Sequence, residues 1–149
     1  MTSTRKPTFA TATARAASRH AESILQRNCV TWFRLQYRAH TPLLFAVPNG
    51  GGRSRVEAAI MKAEGVTPGV ADLILLTPRG GYGSLCIEMK TTAKGSGQSR
   101  AQREWQLLAE AHGNRYAVVR SFEEFQAVVN DYMSRKPSFI HQPSKPAEK

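Results

Sequence analysis

Acidic residues are scarce in this chain, 11 Asp and Glu against 21 Lys and Arg in 149 residues. Cysteine is scarcer still, and Cys29 and Cys86 lie in no C-x-x-C spacing and near no His-x-His pair. That excludes a zinc finger and a disulfide scaffold and favours a reducing compartment. No apolar run approaches the ~20 residues of a transmembrane helix, and no signal-peptide core is visible. The expected location is therefore cytoplasmic, with no membrane partner. His20, His40, His112 and His141 show no ligand spacing, which disfavours a histidine-held metal. A second full domain does not fit this length, and one domain of this size buries roughly two-thirds of its unfolded surface without a disulfide or a structural metal.

What the chain does have is positive charge, a formal net of +10 spread unevenly. Residues 1–20 hold four basic and no acidic groups, and residues 134–149 hold four basic groups against one acidic. Residues 22–103 hold eleven against five, whereas 104–133 hold two against five. Both ends and one half of the fold are thus positive. No stretch joins these residues to a strongly apolar helical face, so the expected partner is a polyanion, nucleic acid first, rather than a membrane surface.

The Ser-, Thr-, Ala- and Arg-rich residues 1–17 and the Pro- and Lys-containing residues 134–149 read as disordered basic tails around a folded unit over 18–133. The first stretch shares the acid-free, Arg-rich composition of an organellar transit peptide but reads as a plain arm. Between the tails, Glu22, Leu25, Cys29, Trp32, Phe33 and Tyr37 fall at helical spacing over 18–39, and Pro42 forbids continuation. LLFAV at 43–47 reads as a strand stopped by Pro48-Asn49-Gly50-Gly51-Gly52, and Ser54 can cap a helix running through Glu64 to Gly65. ADLILL at 71–76 and SLCIEMK at 84–90 form a hairpin around a Gly-rich turn. Ser99-x-x-Gln102 is a capping box for a helix ending at Gly113, YAVVR at 116–120 is a buried strand, and Ser121-x-x-Glu124 opens a last helix. The order is α β α β β α β α. Apolar strands need cover on both faces, so an α/β fold with a mixed β-sheet flanked by helices follows.

The chemistry concentrates on the hairpin. Residues i and i+2 of a strand share a face, so Glu88 and Lys90 point the same way, and LCIEM places a carboxylate inside an apolar run. Asp72 opens the neighbouring strand. Two carboxylates converging at a sheet end make an oxygen-rich site suited to Mg²⁺ and a phosphate oxygen, with an ammonium at hand to orient water or offset developing charge. The basic loop KTTAKGSGQSR abuts the site, where phosphates would lie. By spacing alone D…ExK is equally an exposed ion pair on an amphipathic strand, worth under ~1 kcal/mol. Trp105 and Trp32 sit at helical spacing with apolar neighbours and read as core rather than base-stacking platforms.

The motifs PNGG, GVTPGVAD, IEMK, SRAQREW and the closing YAVV strand occur in this order across roughly residues 20–133. In combination they resemble the VRR-NUC family of the PD-(D/E)xK nuclease superfamily. The resemblance implies a restriction-endonuclease-like core and divalent-metal-dependent DNA cleavage, with Mg²⁺ or Mn²⁺ and no small-molecule cofactor. It further implies stand-alone phage or bacterial proteins that form homodimers and act like Holliday-junction resolvases on branched DNA in replication, repair or recombination. By position it makes Asp72 and Glu88 metal ligands with the Met89 carbonyl, Lys90 the residue acting on the attacking water, Glu22 a contributor through water, and Gln102 a support for Lys90 or a phosphate. Asn49, Arg53, Arg55, Lys94, Ser99, Arg100 and Arg103 become candidate DNA contacts, although each also reads as a turn residue, a cap or a solvated charge. Ala71 stands where the superfamily has proline. Two rivals follow from the residues: a non-catalytic basic nucleic-acid-binding protein, and a sequence-specific restriction enzyme, for which no large recognition domain is present.

Overall fold

A computed structural model describes residues 9–48, 53–93 and 95–138. Its elements follow the expected order: α1 (Phe9–Gln36), a 3₁₀ turn (Arg38–Leu43), β1 (Leu44–Ala46), α2 (Arg55–Ala63), β2 (Leu73–Leu75), β3 (Leu85–Met89), α3 (Arg100–Ala111), β4 (Arg115–Val119) and α4 (Phe122–Ser134). The strands form one sheet in the order β1-β2-β3-β4, antiparallel at the first two pairings and parallel between β3 and β4. A parallel pair cannot be joined by a tight turn, and α3 supplies the crossover.

Helices cover both faces of this mixed sheet. On one face Leu73, Leu75, Leu85, Ile87, Met89 and Val119 pack with Cys29 and Phe33 of α1 and with Phe125, Val129 and Tyr132 of α4. On the other, Cys86 and Tyr116 pack with Ala71, Ile74 and Trp105, the last on α3. β3 is consequently buried at all five positions, which is why its sequence reads LCIEM rather than alternating. Trp32 makes edge contacts with Tyr37, Phe122 and Phe125, and Trp105 lies 6.2 Å from the Tyr116 ring, so both tryptophans belong to the core. Burial pushes the Cys29 thiol up to about 12, leaving it an inert core side chain.

Three local readings change. α1 starts at Phe9, inside the stretch expected to be an arm, because Ala- and Arg-rich sequence propagates a helix once its C-terminal half is anchored by packing. It ends at Gln36 rather than 39; Tyr37 N–H still reaches the Phe33 carbonyl, and Pro42 is accommodated in the 3₁₀ turn. The segment after α4 is not simply free at its start. Gly80 N–H donates to the Lys136 carbonyl at 2.8 Å, Gly81 N–H to Ser138 Oγ at 2.8 Å, and Arg79 bridges Pro137, fastening residues 136–138 to the hairpin turn. The caps form as read: Ser54 with Glu57 and Ser99 with Gln102 make reciprocal capping boxes, and Ser121 accepts from Glu124 N–H. α2 buries none of its residues, and Val56 and Ile60 face solvent.

Candidate active site

The site forms where β2 and β3 run out towards α3 and α1. Extending the register Leu73↔Ile87 by one residue brings Asp72 beside Glu88. Asp72 is fixed from two sides: its carbonyl accepts from Val47 N–H at 2.9 Å, and its Oδ2 accepts from Met89 N–H at 2.7 Å. Glu88 is 1% exposed and lies on the face covered by α3. Its Oε1 receives Gln102 Nε2 and sits 3.2 Å from Lys90 Nζ, while Tyr116 Oη donates to Oε2 at 3.4 Å. Gln98 Nε2 in turn contacts Tyr116 Oη at 3.3 Å and Gln106 Oε1 at 2.9 Å.

Gln102 therefore has two tasks. Its Oε1 accepts from Ser99 N–H at 2.8 Å to close the capping box, leaving Nε2 to hold Glu88. The placement of α3 behind this contact depends on Gly69. With φ at +84°, Gly69 lies against the first turn of α3, and a Cβ there would stand 2.3 Å from the Ala101 carbonyl oxygen. The glycine of the GVTPG run is thus a close backbone approach that lets the loop before β2 meet the start of α3.

Two carboxylates this close disfavour joint ionisation. Burial, then the neighbouring Asp72 charge, pushes the Glu88 carboxyl up to about 7, against the pull of the Lys90 ammonium and the Tyr116 hydrogen bond. Burial also raises Asp72, opposed chiefly by the Met89 N–H and Lys90. Tyr116 is raised by burial and by Glu88, so it remains a neutral hydroxyl donor. The site can relieve its repulsion with a proton or with a cation. Its donors are hard carboxylate oxygens with a backbone strand end alongside, a set suited to Mg²⁺ or Mn²⁺ rather than to a thiolate- or imidazole-binding metal. Among the described residues no three His, Cys, Asp or Glu side chains cluster closely enough to bind a metal by themselves. Asp72 and Glu88 would need the Met89 carbonyl and water.

A cleft of about 500 Å³ opens between the sheet end and α1, with Asp72, Met89 and Ala46 on the sheet side and α1 as the opposite wall. Glu22 is on that wall, in the same cleft as Asp72. The sheet end and α3 bring Asp72, Glu88, Met89, Lys90 and Gln102 together, and the cleft adds Glu22. The candidate DNA contacts are scattered. Arg53 points its guanidinium at Met61 Sδ, Arg55 is exposed on α2, Ser99 is used as the α3 cap, Arg100 pairs with Glu104 at 2.7 Å, and Arg103 donates to the Gln98 carbonyl at 2.6 Å. Asn49 and Lys94 lie outside the described residues. Sequence reasoning missed Tyr116 and Gln98, because only the β3–β4 register and the seat of α3 carry them to Glu88. It also missed Arg19, Arg27 and Arg34 in the cleft, although their recurrence along one side of α1 was a legible signal.

No family model and no curated protein matches the chain. Among solved structures, a VRR_NUC domain protein matches over 78% of this chain and 90% of its own, with a TM-score of 0.67 and 25% sequence identity. The two chains share one fold. The match supports the VRR_NUC family and a nuclease-type domain, and the α/β architecture agrees with a restriction-endonuclease-like core. In this VRR_NUC-like domain, the D…ExK residues occupy the open end of the sheet, and no helix among the described residues is long and apolar enough to cross a membrane.

Proposed function

We propose that the protein is a divalent-metal-dependent DNA endonuclease, selective for branched structures in the manner of a Holliday-junction resolvase and acting in replication, repair or recombination. The observation that carries this reading is the fully buried Glu88 carboxylate set against Asp72 and held by Lys90, Gln102 and Tyr116. A structural ion pair needs no second carboxylate pressed against it, and a buried charge without function is costly to keep.

Asp72, Glu88 and the Met89 carbonyl would hold the metal, with Glu22 reaching it through water. A bound divalent cation supplies acidification of water and neutralisation of charge at phosphorus. The chain's own groups do the positioning. Met89 N–H aims the Asp72 carboxylate, and Gln102 and Tyr116 fix the two oxygens of Glu88. Lys90, whose side chain is 12% exposed, orients the attacking water and offsets negative charge on the non-bridging phosphate oxygens. Attack in line breaks the P–O3′ bond and leaves a 5′-phosphate and a 3′-hydroxyl. A domain this small engages two scissile strands as a homodimer.

The test is cleavage of end-labelled four-way junction, flap and linear duplex DNA with Mg²⁺, Mn²⁺ or EDTA, beside the Glu88→Ala protein. Metal-dependent cutting that the variant loses supports the nuclease, and preference for the junction supports resolvase-like action. Salt-sensitive binding with no cutting under any metal would favour the non-catalytic nucleic-acid binder. Light scattering on junction DNA reads the dimer, and a monomeric mass there refutes it.

A further inference from the structure

We infer that the cleft-facing side of α1 is a track for the phosphate backbone of the substrate, with Arg19, Arg27 and Arg34 as its contacts. The inference rests on the nuclease reading only for the identity of the substrate strand; the track itself is a statement about binding. All three arginines line the cleft that holds Asp72 and Met89, together with polar Ser23, Gln26 and Thr31. From Arg19 to Arg34 is fifteen residues, about 22 Å at 1.5 Å per residue, far longer than a small anion and comparable to roughly six phosphates along one strand of duplex. Arg15, exposed one turn before Arg19, extends the row towards the N-terminal end of α1.

These residues both line the cleft and are uncommitted. Arg100 is paired with Glu104, and Arg115 and Arg135 with Asp131. Arg103 is spent on the Gln98 carbonyl, Arg120 on the Thr91 and Ser96 carbonyls, and Arg79 on the Pro78 carbonyl. Arg19, Arg27 and Arg34 are exposed and form no ion pair among the described residues, although they share the cleft with Glu22 and Asp72. A guanidinium row free of carboxylate partners and sharing its cleft with the half-buried Glu22 and Asp72 is poised for an external polyanion: it draws phosphates towards a site whose own charge would repel them. This moves the main backbone contact from the sequence-expected Lys94, Ser99, Arg100 and Arg103 to the first helix.

The test is binding of a fluorescein-labelled linear duplex in EDTA, so that nothing is cleaved, measured across a salt series. Three proteins are compared: wild type, Arg19→Ala/Arg27→Ala/Arg34→Ala, and a charge-matched control, Arg38→Ala/Lys62→Ala/Lys136→Ala, whose exposed residues lie outside the cleft. The slope of log affinity against log salt should shrink by about 2–3 in the cleft variant, near 0.9 for each lost phosphate contact, and by less than about one in the control. Affinity at low salt should drop at least tenfold in the cleft variant. An unchanged slope, an equal loss in the control, or no duplex binding by wild type overturns the track. The two readings separate cleanly: a track lost in the variant with no cutting by wild type in Mg²⁺ leaves the track standing without the nuclease, and Mg²⁺-dependent cutting with an unaltered slope does the reverse.

Discussion

Replacing Glu88 by glutamine should make the metal-free protein more stable while destroying its metal response. The carboxyl is pushed from its ordinary 4.5 to about 7 by burial and by Asp72. A raised carboxyl means that the folded state holds its proton more tightly than the unfolded chain. The associated stability is present below about pH 4.5 and is lost as the pH climbs through about 7. At about 1.36 kcal/mol per unit the ionised group costs the fold roughly 3 kcal/mol above that range. Glutamine is a neutral isostere of the protonated acid: its carbonyl oxygen still accepts from Gln102 while its NH2 donates to the Tyr116 hydroxyl oxygen, and it never ionises. In EDTA at about pH 4, wild type and Glu88→Gln should melt together. At about pH 8 the variant should melt higher, by roughly 6–12 °C at 2–4 °C per kcal/mol. Adding Mg²⁺ at the higher pH should raise wild type and leave the variant nearly unmoved, since ligand bound only by the folded state stabilises by mass action. A variant no more stable than wild type at pH 8, or a difference that ignores pH, refutes the argument that two crowded carboxylates store this cost for a cation.

Lys90→Ala should slow Mg²⁺-dependent cleavage at least ~10²-fold, the scale of losing one transition-state donor, and near wild-type turnover in single-turnover assays would remove it from the chemistry. Gln102→Glu retains an oxygen to cap α3 through Ser99 N–H but turns a donor into an acceptor against Glu88; the expected result is an unchanged helix signal by circular dichroism with activity sharply reduced, and equal activity counts against the contact. Gly69→Ala forces a side chain into left-handed backbone and onto the Ala101 carbonyl, a cost of about 1–3 kcal/mol before any clash, which a lower urea midpoint at unchanged slope would register. Phe33→Ala, at a core position with no exposure, should cost about 3–5 kcal/mol by the same measurement.

Much of the frame was written locally. The three serine caps, the breaks at Gly65 and Gly113, and the apolar runs of β2 and β3 depend on neighbours within a few residues, so the order of elements and the mixed sheet could be read from the string. Glu88 announced itself because a carboxylate in LCIEM conflicts with its surroundings, and Lys90 shares its face by strand geometry. The beginning of α1 was missed because residues 9–17 lack an apolar stripe of their own and are helical only as the continuation of a packed helix.

Tertiary structure alone decided the rest. Tyr116 lies 28 residues from Glu88, and nothing in RYAVV marks its hydroxyl as a partner until β4 pairs parallel with β3 at Cys86↔Tyr116. Gln102 looked like a cap, and it is one; that its other end holds Glu88 follows from Gly69 allowing α3 to seat against the sheet. Which arginines are free was likewise invisible, because ion pairs such as Arg115–Asp131 join a strand residue to a helix residue 16 positions away. Composition fixed the sign and amount of charge and the residue types of the site. The pairing of strands fixed which carboxylates crowd one another, and the seat of α1 fixed which cations face them, since both are long-range contacts that no window of sequence contains.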